Sequence, residues 1–109
     1  MPDRLVQFLP QFFDELDEQL PDQRGSDGSP SAADFLLYDL PPIRDLLASG
    51  FERNTLEVIG AEPLRVLIDS GTLVRAVAIY AYLADDDTVA VIGIEIQPAA
   101  EASGETTTD

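Results

Sequence analysis

The spacing of hydrophobic and polar positions changes rhythm twice along this chain, and each change predicts a new kind of element. Residues 4–9, Arg-Leu-Val-Gln-Phe-Leu, cluster apolar side chains in a way that suits a short strand. Pro10 follows at a place where the first turn of a helix tolerates a residue without an N–H. From Gln11 to Leu20 the period lengthens. Phe12, Phe13, Leu16 and Leu20 fall on one helical face, and Asp14, Glu15, Asp17 and Glu18 cover the other as a solvated face. Acids early in that helix suit the positive end of its dipole, and Pro21 ends it. Residues 21–31, rich in Gly, Ser, Asp and Pro, form a loop. Ser31 and Asp34 make a Ser-x-x-Asp pattern that resembles a capping box and predicts a helix over Ala32–Tyr38. Pro41-Pro42 restarts a helix through Ile43, Leu46 and Leu47 that stops near Gly50. The two pieces read equally well as one kinked helix.

The C-terminal half has the shorter period of strands. Leu56–Ile59 and Leu64–Ile68 alternate apolar residues, Asp69-Ser70-Gly71 makes a turn, and Thr72–Leu83 is a long β-branched and aromatic strand. Ala84-Asp85-Asp86-Asp87 closes a hairpin against Thr88–Ile96. Simple alternation puts Ile92, Ile94 and Ile96 on one face of that strand, and Val89, Val91 and Gly93 on the other. Residues 98–109 show no periodicity and read as a disordered acidic tail. The expected fold is one α+β domain over residues 1–97. It has a strand, two or three helices, then a three- to four-stranded, mainly antiparallel sheet with the helices on one face.

Composition removes more chemistry than any motif adds. Among 109 residues there are 21 acids and six arginines, with no lysine, histidine or cysteine, for a formal charge of -15. Thiol nucleophiles, thiolate metal sites, Ser-His relays and imidazole switches have no side chains to build on. The net charge repels phosphate backbones, so no direct nucleic-acid partner is expected. No apolar run approaches a bilayer span and the N-terminus lacks a signal-peptide layout, so a soluble cytoplasmic protein is expected, off the membrane. The acidity has two readings: a GC-rich or halophilic source, or an acidic surface that docks on a basic partner.

Weighed singly, the polar clusters point to structure. Asp85-Asp86-Asp87 is the densest group of acids, but it lacks the alternating ligands of a calcium loop and reads as a solvated turn. Ser49-Gly50 and Ser70-Gly71 lack any basic partner and read as turn serines, and no Gly-rich phosphate loop occurs. No cofactor or metal is therefore expected. Arg65 and Arg75 suit a small carboxylate- or phosphate-binding pocket on the sheet, or structural pairing with Asp69, Glu57 or Glu95; the structural role is favoured. Tyr80 and Tyr82, two apart on one strand face, read as core or interface residues.

The same order of elements resembles the RelE/ParE toxin superfamily of toxin–antitoxin systems over roughly residues 4–97. The opening Arg4-Leu5-Val6-Gln7-Phe8-Leu9-Pro10-Gln11-Phe12-Phe13-Asp14-Glu15-Leu16 is similar to the family's first strand running through a proline into an acidic helix. Leu73-Val74-Arg75-Ala76-Val77-Ala78-Ile79-Tyr80 resembles its arginine-bearing strand, and Asp85–Ile92 its closing hairpin. The resemblance implies a first strand packed beside the closing meander and a concave sheet face that, in the family's ribosome-dependent nucleases, holds mRNA. Arg75 is its best match to the family arginine, with Arg65 and Tyr80 weaker candidates. The departures are the missing lysines and the run Gly93-Ile94-Glu95-Ile96-Gln97 where a basic or aromatic residue belongs. They point away from ribonuclease activity, because cleavage requires cations at the phosphate and a proton donor. What remains is a non-catalytic or degenerate member acting on an antitoxin-like protein segment, with a homodimer left open. The alternative is an acidic inhibitor or immunity-type module that mimics nucleic acid on a basic protein.

Overall fold

The computed structural model describes residues 3–23, 25, 30–70 and 74–97. The tail expected over 98–109, most of the loop tip (residues 24 and 26–29) and residues 71–73 lie outside the described residues. Strand β1 (Leu5–Phe8) runs into helix α1 (Pro10–Gln19) through Pro10 at the first helical position. A proline cannot donate to a ladder, but its fixed φ suits a helix start. Phe12, Leu16 and Leu20 are buried as the helical period demands. Phe13 does not share their face. It points one residue further round, about 100° away, stays 40 % exposed, and leans on the rings of Phe8 and Phe12 at 6.5 and 5.2 Å.

The capping box forms: the Asp34 N–H donates to Ser31 Oγ at 3.1 Å, and the Ser31 N–H to Asp34 Oδ2 at 2.9 Å. It starts α2 (Ala32–Asp34), which widens into a π turn (Phe35–Asp39) and continues as α3 (Leu40–Ser49). Of the two helical readings, the single kinked helix is therefore the observed one. The cause is Pro41-Pro42. In an α-helix both would deprive the preceding turn of donors and press their rings on its carbonyls. Neither proline can donate in any turn, but the wider turn displaces the preceding carbonyls relative to the rings, with the Leu40 N–H donating five residues back to the Phe35 carbonyl. A further turn, α4 (Phe51–Asn54), has no clear signature in the sequence and buries Phe51 completely.

The sheet has five strands in the order β1-β5-β4-β3-β2, with β2 (Leu56–Glu57), β3 (Arg65–Asp69), β4 (Ala76–Asp85) and β5 (Thr88–Gln97). It is mixed: β1 pairs in parallel with β5, and the other pairs are antiparallel. The three or four mainly antiparallel strands expected after the helices are β2 to β5, and β1 joins the same sheet as a fifth, parallel strand from the far end of the chain. Leu67, Val77, Ile79, Ala81, Val89, Val91 and Ile94 bury one face against Phe12, Leu16, Phe35, Ile43, Leu47 and Phe51. The opposite face is open.

The expected faces of β5 need correction. Pairing jumps from Tyr80↔Gly93 to Ala81↔Val91, so Ile92 is an extra residue. This bulge reverses the alternation midway, which brings Val89, Val91 and Ile94 together in the core and leaves Gly93 beside Tyr80 on the open face. Beyond Val91 the outer edge of β5 has lost β1. Side chains of α1 replace it: the Ile94 N–H donates to Glu15 Oε1 at 2.9 Å, Gln19 Nε2 to the Ile94 carbonyl at 2.7 Å, and the Ile96 N–H to Gln19 Oε1 at 2.6 Å. Glu15, expected on a solvated face, is half-buried in this clamp.

Replacing Gln19 with Ala removes two of the three clamp bonds and is expected to cost about 1–3 kcal/mol in urea unfolding. Amide exchange at Ile96 should accelerate more than at Ile79 in the sheet centre. Equal acceleration at both would show that the clamp has no local effect.

Candidate functional site

The open face is read from the register. Leu56, Val66, Tyr80 and Gly93 form one row across β2–β5. Ile68, Ala78 and Glu95 form the next, and Tyr82, Ala90 and Gln7 a third. Leu56 and Ile68 are 64 % and 65 % exposed, and Ile59 in the β2–β3 connection is 92 % exposed. Among the described strand positions of this face there is no arginine.

The two arginines expected near a concave pocket separate. Arg65 pairs with Ala81, a core-side residue, and so lies on the helix side of the sheet. There its Nε donates to Thr55 Oγ1 at 2.7 Å, and its Nη2 to the Thr55 and Glu52 carbonyls at 2.9 and 3.2 Å. Its guanidinium also sits 3.6 Å from Glu57 and 6.0 Å from the Phe51 ring centre. A planar fork of donors fits the orphan carbonyls at the end of α4. Arg65 thus closes a helix end, with Glu57 as the ion-pair partner named among the structural options. Arg75 is exposed just before β4, tied by its backbone N–H to the Gln97 carbonyl at 2.9 Å. Among the described residues no group pairs with its guanidinium.

Tyr80, the third candidate, does face the open side. Its hydroxyl donates to Glu95 Oε1 at 2.7 Å. That bond, helped by partial burial and the nearby charges of Glu95 and Glu15, holds its phenol above the ordinary value of 10.0. Beside it lies a cleft of about 270 Å³ lined by Gln11, Glu15, Leu64, Tyr80, Ile92, Gly93 and Glu95. Glu15 is fixed there by the Ile94 N–H and by Gln11 Nε2 at 3.0 Å. Gly93 forms the floor: a Cβ there would meet Glu15 Oε1 at 2.9 Å and displace that carboxylate from its place against the Ile94 N–H, while Tyr80 Cβ at 3.6 Å is in ordinary contact. Sequence reading missed Glu15, Gly93 and Glu95 as a group. The cue was the clash of Glu95 with its apolar strand, but only the bulge sets its face.

The remaining charges hold the chain together. Arg4 reaches two segments far away in sequence: Nε donates to the Asp86 carbonyl at 2.8 Å, and Nη1 and Nη2 grip the Glu52 carboxylate at 2.8 and 3.2 Å. The Glu52 carboxyl is held below its ordinary value, chiefly by this bond. Asp85–Asp87 forms the β4–β5 turn, where the Asp87 N–H donates to Asp85 Oδ1 at 2.8 Å. No group of three acids among the described residues is placed to hold a metal ion. Comparison with family models, with curated proteins and with solved structures gives no match for this chain.

Arg65→Ala should lower the unfolding free energy by about 1–3 kcal/mol by taking the side-chain donor from the Glu52 and Thr55 carbonyls, whereas Arg75→Ala should stay within about 0.5 kcal/mol. Equal losses would contradict the assignment of Arg65 alone as the helix-end cap. For Tyr80, the raised folded-state value means that its contribution to stability is intact below 10.0 and fades as pH rises through the folded value. An ultraviolet phenolate titration should show one tyrosine ionising late. Glu95→Ala should bring that midpoint down, and an unmoved midpoint would rule out Glu95 as the cause.

Proposed function

We propose that this protein is a non-catalytic, RelE/ParE-like protein of toxin–antitoxin type that acts through protein–protein contacts. The observation that carries the reading is the open sheet face, which exposes Leu56 and Ile68 and holds no arginine at its described strand positions. The resemblance supplies the type. It implies a first strand beside the closing meander, and β1 lies in parallel beside β5 with the helices on the other face.

The same geometry argues against the family's nuclease chemistry here. Phosphoryl transfer from RNA needs preorganised cations at the scissile phosphate. Arg65 is turned to the helix side, and Tyr80 donates to a carboxylate instead of standing beside a cation. A face of this kind suits an antitoxin-like segment better than a phosphate backbone.

A second reading is favoured by a separate observation, the charge of -15. An acidic inhibitor or immunity-type module would occupy the basic surface of a nuclease or DNA-binding protein, with Glu95 and Glu15 at its contact face.

Expression alone in a bacterial host should leave messenger RNA intact, and co-expression with the neighbouring gene's product should give a complex that co-elutes in size exclusion. Codon-dependent mRNA cleavage abolished by Arg75→Ala would overturn the non-catalytic assignment. Harmless expression with capture of a basic nuclease, its affinity falling steeply with added salt, would favour the inhibitor reading instead.

A further inference from the structure

We propose that the open face over β2–β5 is a docking surface for a cationic, amphipathic segment of a partner protein. On this surface the segment sets apolar side chains on Leu56, Val66 and Ile68 and places one Lys or Arg in the Tyr80 cleft. This rests on the reading that the protein works through protein contacts, and it names the surface and the chemistry of the partner.

The apolar half comes first. Leu56 and Val66 are cross-strand neighbours, and Ile68 follows two residues on, so the three side chains stand together on the face away from the helices. Leu56 and Ile68 are about two-thirds exposed, at 64 % and 65 %. Large exposed apolar groups gathered on one sheet face mark an interaction surface more than a solvent-facing one.

Charge selects the occupant. The chain carries -15, and the charged side chains that line the cleft in this face are Glu95 on β5 and Glu15 reaching over from α1, while the exposed Arg75 lies beyond Ala76 at the far end of β4. A second copy would bring the same sign to the contact, and so would a nucleic-acid backbone. A cationic protein segment brings the complementary sign.

The cleft gives that cation a place. Tyr80 forms one wall, Glu95 and Glu15 supply the carboxylates, and Leu64 and Ile92 line it with apolar surface for an aliphatic stem. The ring face attracts a cation electrostatically. Both carboxylates are already oriented, Glu95 by the Tyr80 hydroxyl and Glu15 by the Ile94 N–H. A bound ammonium or guanidinium would therefore meet acceptors that need little rearrangement.

The test uses the full chain, isotope-labelled, with a short fluorescent peptide alternating valine and arginine as the probe. Two control peptides alternate valine with glutamate and serine with arginine. The expected result is saturable binding of the valine–arginine peptide, with amide shifts centred on Val66, Ile68, Ala78, Tyr80 and Glu95. Ile68→Ser, at an exposed position, should weaken binding by about tenfold. Glu95→Gln, which keeps an acceptor for Tyr80, should weaken it by about threefold and flatten its salt dependence.

Equal binding of the serine–arginine peptide, or shifts centred on Asp14, Asp17 and Glu18, would reduce the effect to general attraction and overturn the inference. Absence of peptide binding at low salt, or dimerisation that buries Ile68 in sedimentation and shift data, would also overturn it. Each of these results leaves the broader reading standing if the co-eluting complex forms, because the partner would then contact another surface. Absence of that complex counts against the broader reading alone.

Discussion

The exposed edge of β5 is the constraint around which the rest of the molecule is arranged. A strand in the sheet interior needs backbone partners on both sides, and an unpaired edge would leave polar groups half-buried. The chain satisfies this edge in two halves. Leu5–Phe8 pair with Thr88–Val91, closing a loop of more than eighty residues. Then Pro10 turns the chain into a helix, and Glu15 and Gln19 complete the edge from Ile94 to Ile96. Phe12 and Leu16 reach the core from the same helix, so edge and core are closed by one element. The position of α1 also brings Glu15 to the open face, where it helps to form the Tyr80 cleft.

The arginines show a similar economy of use. Arg4 bridges the first strand, the β4–β5 turn and α4, while Arg65 closes the end of α4. In a chain of -15, each of these cations is placed where it crosslinks distant segments. Their use inside the fold leaves the opposite sheet face apolar in its middle and acidic at its side. That distribution leaves no cation at the described strand positions of this face to offer a phosphate.

Parts of the candidate site were legible in the sequence and parts were not. Tyr80 and Tyr82 fall on one face by simple alternation, and the structure keeps them there. The structural role of Arg65, including Glu57 as a partner, follows from how strand arginines are usually satisfied. The role of Glu15 is not legible, because helical periodicity marks only a polar position and not the strand edge that arrives beside it. The side on which Gly93 and Glu95 lie depends on Ile92 being the extra residue of a bulge, and alternation cannot register an insertion of that kind.

Local patterns suffice for the α+β class, the proline-led start of α1, the Ser31–Asp34 cap, the approximate strand segments of the second half and the sign of the net charge. These are local: they follow from propensity, periodicity and charge within a few residues of one another. The parallel β1–β5 pairing and the clamp of Glu15 and Gln19 arise only in the folded arrangement. Each of these depends on backbone groups seeking partners from distant parts of the chain. That demand is imposed by burial, and no local window of sequence contains it.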